Sequence, residues 1–255
     1  MLERFSKSYR IINKEKFVEK LINFSVDQDY FILLNSNNNS DKYDLLCGYG
    51  VKSFIKSSEN SLTKLDNFFE LKKDWLFGYM TYDLRNEIEV LNDDNIDFIN
   101  MPNLYFFQPE IVWFVKGKIV TGLSFEKDLI DNDWKKFNEI SEKEKTENSN
   151  IVKLNLRNSK SEYINKVNKI KERIFRGDCY EMNFCFDLFS EYDEINPYDT
   201  YVKLNNYTKS PMSSFLKVND LFLISSSPER FLSKNGEDII SQPIKGTAKR
   251  GDSPE

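Results

Sequence analysis

The stretch SSFLKVNDLFLISSSPERFLSKNGEDIISQPIKGT, residues 213–247, decides the fold class. Asn219-Asp220 separates SSFLKV from LFLISS, and Asn235-Gly236 separates ERFLSK from DIISQ. Each pair is a turn former set between apolar runs. The pattern predicts an antiparallel meander, with a proline turn at Pro228 and a break at Gly246. Upstream, Asn196-Pro197 opens a helix running to about Tyr207. Before that, Ser159 and Glu162 form a capping box, Ile164, Val167, Ile170 and Ile174 recur at helical spacing, and Gly177 supplies a left-handed stop. Met182, Phe184, Phe186 and Leu188 then alternate as in a half-buried strand.

The first half adds shorter pieces. YFILL (30–34) reads as a strand ending in the polar tract NSNNNSD (35–41), which supplies turn formers and no core. WLFGYM (75–80) is a second strand, followed by a helix through DLRNEIEVL (83–91). IVWFV (111–115), the turn Lys116-Gly117-Lys118 and IVTGL (119–123) make a hairpin. Residues 126–150 are strongly charged and read as a linker or a solvated helix. The expected architecture is α+β, divided into 1–125, a linker at 126–150, and 151–255.

Composition excludes several functions. With 255 residues, 40% hydrophobic content, 21 Phe and 13 Tyr, the chain can bury a sizeable core. A net charge of -5 leaves no basic field for nucleic acid. The charged start MLERFSKSYRIINKEKF has no apolar targeting core, and runs such as FILL and IVWFV are too short to span a bilayer. A cytoplasmic protein without membrane or nucleic-acid partner is expected. The three cysteines, Cys47, Cys179 and Cys185, lack CxxC spacing and read as reduced, buried small hydrophobes. The chain has no histidine, so it builds no Ser-His-Asp triad, Cys-His pair or His-ligated zinc by itself.

Three segments offer chemistry. SQPIKGTAKRG (241–251) leads a proline-bounded strand into Lys245, Gly246, Thr247, Lys249 and Arg250. Cations and a hydroxyl beside a backbone that a ligand can approach closely suit a small anionic substrate, and equally a solvated basic turn. GDCYEMNFCF (177–186) presents Glu181 and Asn183 opposite Met182. SSSPERF (225–231) places Glu229 and Arg230 at a turn, where they could simply pair at the surface.

Taken in order, GDCYEMNF, SPMSSF (210–215), SSSPERFL and PIKGTAKRG resemble the motifs of the chorismate-utilising family, which includes anthranilate, aminodeoxychorismate, isochorismate and salicylate synthases. SPER followed by PIKGT is highly specific. FGYMTYDLRNEIEVL (77–91) and MPNLYFF (101–107) resemble the N-terminal domain of the aminodeoxychorismate branch. The resemblance implies a layered α/β sandwich of the anthranilate synthase component I type, with chorismate and Mg²⁺ in a cleft. It also implies that the fold is incomplete at Gly251-Asp252-Ser253-Pro254-Glu255. The magnesium-binding glutamates and a substrate-site histidine are expected in a part that would follow, so no metal ligand is assigned in this chain.

Within the family, Lys245 is the most informative residue. Anthranilate synthases usually have alanine there, whereas the aminodeoxychorismate branch has the lysine, proposed to attack ring carbon C2 of chorismate. Only about one lysine in 2,500 is neutral at pH 7 from a reference pKa of about 10.4, so the site must favour the neutral amine. Lys249, Arg250, a bound Mg²⁺ and partial burial all act that way. Gly246 and Thr247 match positions that contact substrate. Glu181 stands where isochorismate and salicylate synthases usually carry a lysine that activates water; the family's commoner residue there is glutamine. Leu33-Leu34-Asn35-Ser36 and Pro211-Met212-Ser213-Ser214-Phe215 both depart from the tryptophan-feedback pattern. The implied activity is synthesis of 4-amino-4-deoxychorismate for folate, using ammonia from a glutaminase partner. The alternatives are an anthranilate synthase component I and an inactive truncated fragment.

Overall fold

A computed structural model describes residues 3–39, 42–89, 91, 96–140, 152–191 and 195–244. In chain order it contains β1 (Phe5–Arg10), α1 (Lys14–Phe24), β2 (Tyr30–Asn35), β3 (Leu45–Tyr49), β4 (Ser53–Ser57), α2 (Ser61–Lys72), β5 (Phe77–Met80), β6 (Leu104–Gln108), β7 (Ile111–Lys116), β8 (Ile119–Ser124) and α3 (Lys127–Glu139). There follow β9 (Asn155–Leu156), α4 (Lys160–Phe175), β10 (Leu188–Phe189), α5 (Pro197–Thr208), β11 (Met212–Val218), β12 (Leu221–Ser227), β13 (Arg230–Asn235) and β14 (Asp238–Gln242). The described residues of Met1–Lys143 and Pro197–Glu255 form one compact unit, and those of Glu144–Asn196 a second.

The first unit is layered. A seven-stranded sheet runs β1-β8-β7-β3-β2-β11-β12, all neighbours antiparallel. Its inner strands are apolar on both faces, as strands covered twice must be. One face sends Phe31, Leu33, Trp113, Val115 and Phe215 toward α1, α3 and α5. The other sends Ile32, Val112, Leu216 and Val218 against Phe77, Tyr79, Tyr105 and Phe107 of a three-stranded sheet, β4-β6-β5. Helices, large sheet and small sheet therefore stack as the expected mixed α/β sandwich. In α1, Asn13 Oδ1 accepts from Lys16 N at 2.8 Å, and Phe17, Val18, Leu21 and Ile22 form one buried face.

Within the stretch expected as a linker or solvated helix, Lys127–Glu139 is a core helix. Ile130, Asp133 and Phe137, at i, i+3 and i+7, are all buried. The polar residues between them conceal this stripe in a composition reading. The helix expected over residues 83–91 is only a short 3-10 segment, Tyr82–Glu87. Lys116 faces Ile119 across the β7–β8 turn, as the hairpin reading requires. The 213–242 meander also forms, but in two pieces: β11–β12 joins the large sheet, whereas β13–β14 is a separate two-stranded sheet.

In the second unit, α4 begins and ends where its sequence signals lie. Ser159 and Glu162 make the reciprocal capping box. Gly177 has φ +83°, with Gly177 N donating to Ile174 O and Asp178 N to Arg173 O, both at 3.0 Å. This is the Schellman pattern. The half-buried strand expected from Met182 to Leu188 is not there. Only Leu188–Phe189 pairs, with Leu156 and Asn155, and Met182, Phe186 and Leu188 are exposed. Alternation supplies the side-chain pattern of a strand, but a strand also needs a neighbouring ladder. The cysteines differ from their common expectation: Cys47 is buried and burial pushes its thiol up, Cys179 is half-buried and Cys185 is exposed.

Candidate functional site

The strongest motif begins with Pro243 and Ile244, directly after β14. Ser227 Oγ accepts from Glu229 N at 3.2 Å and donates to Glu229 O at 3.1 Å, closing the proline turn between β12 and β13. The hairpin then reverses at Asn235-Gly236, with Gly236 at φ +62°, and returns along β14 to Pro243 and Ile244. A register shift between Arg230 and Ser233 marks an irregularity in β13. Lys245, Gly246, Thr247 and Arg250 lie outside the described residues. Glu181 is described: it is exposed, in the irregular segment after Gly177.

Sheet pairing brings together two distant stretches singled out above. Antiparallel β2 and β11 set Asn35 opposite Ser213 and Leu33 opposite Phe215. The polar tract after β2 is not the coreless turn its composition suggests. Asn35 is 4% exposed, and its Oδ1 accepts from Asn37 N at 3.0 Å. Asn37 Nδ2 donates to Asn205 Oδ1 at 2.9 Å and to Ser210 O at 2.7 Å, tying the tract to α5. Asn37 and Asn38 both have positive φ, 48° and 69°, which asparagine tolerates better than most residues.

Beside this clasp is a cavity of about 210 Å³ between α1, the tract and α5. Lys14, Asn35, Asn37, Tyr201, Asn205 and Lys209 are among its lining residues. Burial lowers the Lys14 amine below its ordinary pKa. Lys209 pushes the same way, while Asp44 and Glu15 oppose it. Sequence reasoning missed this group, because its members come from residues 14–38 and 201–209 and carry no local motif.

Among the described residues no group of three or more His, Cys, Asp or Glu side chains could hold a metal ion. The magnesium ion implied by the resemblance has no ligand set among the described residues. None of the described helices is long and apolar enough to cross a membrane.

A family model described as chorismate binding enzyme matches residues 25–255. The chain belongs to the chorismate-binding enzyme family. Relatives of two kinds are similar to it. Aminodeoxychorismate synthase component 1 of Escherichia coli is 30% identical over 97 residues, covering 38% of this chain and 21% of that protein. Its Bacillus subtilis counterpart is 26% identical over 197 residues, covering 68% and 40%. Anthranilate synthase component 1 of Lactococcus lactis is 28% identical over 188 residues, covering 68% and 41%. The matched stretches thus span less than half of each relative's length. Among solved structures, the menaquinone-specific isochorismate synthase of Escherichia coli aligns with TM-score 0.46 and 10% identity, over 90% of this chain and 52% of that one.

Proposed function

We propose that this member of the chorismate-binding family serves aminodeoxychorismate synthesis, exchanging the C4 hydroxyl of chorismate for an amino group with ammonia from a glutaminase partner in the cytoplasm. The observation that carries this reading is Lys245 within Pro243-Ile244-Lys245-Gly246-Thr247. Anthranilate synthases of the family usually have alanine at that position. A neutral lysine amine attacks ring carbon C2 as the C4 hydroxyl leaves; ammonia then bonds to C4 and expels the lysine from C2. Gly246 leaves room for the substrate and Thr247 offers it a hydroxyl. Lys249 and Arg250 disfavour the ammonium form of Lys245 and can meet carboxylate groups. Glu181, in place of a lysine, leaves out the residue that water-adding relatives usually use.

The similarity to the Lactococcus lactis anthranilate synthase component 1, which covers as much of this chain as the Bacillus subtilis alignment does, supports anthranilate synthesis as a second reading. One assay separates the two: incubate the protein with chorismate, ammonium and magnesium and resolve the products by chromatography. Aminodeoxychorismate is expected, with Lys245→Ala reduced to background. Anthranilate as the product would overturn the branch assignment, and full aminodeoxychorismate output from Lys245→Ala would remove the nucleophile.

A further inference from the structure

We propose that Lys14 is a site of acylation by small acyl phosphates, with the cavity between α1, the 35–38 tract and α5 as the receiving space. Its basis is independent of the chorismate chemistry. Lys14 is half-buried on the cavity wall, and its Nζ donates to the neutral amide oxygen of Asn38. Lys209 lines the same cavity and donates to another amide oxygen, that of Asn206, at 3.1 Å. Among the described residues neither ammonium pairs with a carboxylate at salt-bridge distance. The charged groups acting on Lys14 are Lys209, which disfavours its ammonium form, and Asp44 and Glu15, which favour it; Glu19 also lines the cavity. Burial outweighs the favourable pair, so the neutral amine is reached more readily than on an open surface.

The volume of about 210 Å³ is several times the ~30 Å³ share of a water molecule, enough for an acetyl group and part of its donor. Lys209 supplies a cation for the donor's phosphate. The neutral amine of Lys14 attacks the acyl carbonyl; a C–N bond forms, the C–O bond to phosphate breaks, phosphate leaves with the electron pair, and the amine proton passes to water. The product is a neutral amide. It costs less to bury than an ammonium, and Asn38 Oδ1 can accept its N–H. Acylation also removes the repulsion between Lys14 and Lys209.

The test is acetyl phosphate added to the folded full chain across pH 7 to 10, with acetylation at each lysine followed by peptide mass spectrometry. Lys14 is expected to react several-fold faster than the exposed Lys169 and Lys171. Its advantage should be greatest at pH 7 and shrink as the other lysines deprotonate. Denaturing urea should abolish the preference, and Lys209→Gln should reduce it. A Lys14 rate at or below those of Lys169 and Lys171, or a preference that survives urea, would overturn the proposal. An unchanged preference in Lys209→Gln would refute the receiving site as described.

Discussion

Asp133 is 1% exposed and sits in the most strongly charged part of the sequence. Its carboxylate accepts from Tyr49 Oη at 2.7 Å and from Lys136 Nζ at 2.9 Å. Trp113 Nε1 donates to the same tyrosine oxygen at 3.0 Å. Burial, followed by Asp133, pushes the Tyr49 hydroxyl well above its ordinary pKa, so Tyr49 is the proton donor in this bond. The network fastens α3 to β3 and β7 from within the core. Removing one partner strands the others, since a buried donor without an acceptor costs about 1–3 kcal/mol. Asp133→Ala is expected to destabilise the fold by at least that amount in denaturant titrations. Tyr49→Phe added to it should cost less than the two single losses summed, because both interrupt one network. A polar residue of this kind reads as surface in sequence; its burial is offset by Lys136 one turn along α3 and by a tyrosine 84 residues away, which no local pattern announces.

Elements whose signals are local appear as read. The capping box and Gly177 frame α4, while Asn219 at φ +52° and Gly236 at φ +62° turn their hairpins. Elements that depend on a distant neighbour depart from expectation. Residues 182–187 alternate without joining a ladder, and α3 shows its apolar stripe once the sheet is present to receive it. β5 illustrates how close such a neighbour comes. A Cβ on Gly78 would lie 1.9 Å from Tyr105 O and 2.7 Å from Phe106 Cα, both backbone atoms of β6. A rigid ladder cannot yield that distance by side-chain rotation. Gly78→Ala should therefore part β5 from β6 and lower stability by about 1–3 kcal/mol or more, read as a reduced denaturant midpoint.

At the scale of the whole molecule, β11 pairs with β2 and extends the sheet to β12, so the first unit draws on both ends of the described chain. Phe215, Leu216 and Tyr201 cover apolar side chains of β2 that residues 1–125 leave open. A fragment of residues 1–125 is expected to bind the hydrophobic dye ANS and to be cleaved quickly by protease. The full chain should show neither behaviour to the same degree. A protease-resistant 1–125 fragment with low dye binding would make the expected division at 126–150 a folding boundary. The sequence alone determined the family and carries the proposed site chemistry, because Pro243-Ile244-Lys245-Gly246-Thr247 and its companion motifs are local strings read in order, and it likewise determined the caps and turns set by short-range geometry. Tertiary structure decided which strand borders β2, which face of α3 is buried, and that Lys14, the asparagine tract and Lys209 share a cavity. These depend on packing between residues far apart in the chain, where periodicity indicates that a face is apolar but not what will cover it.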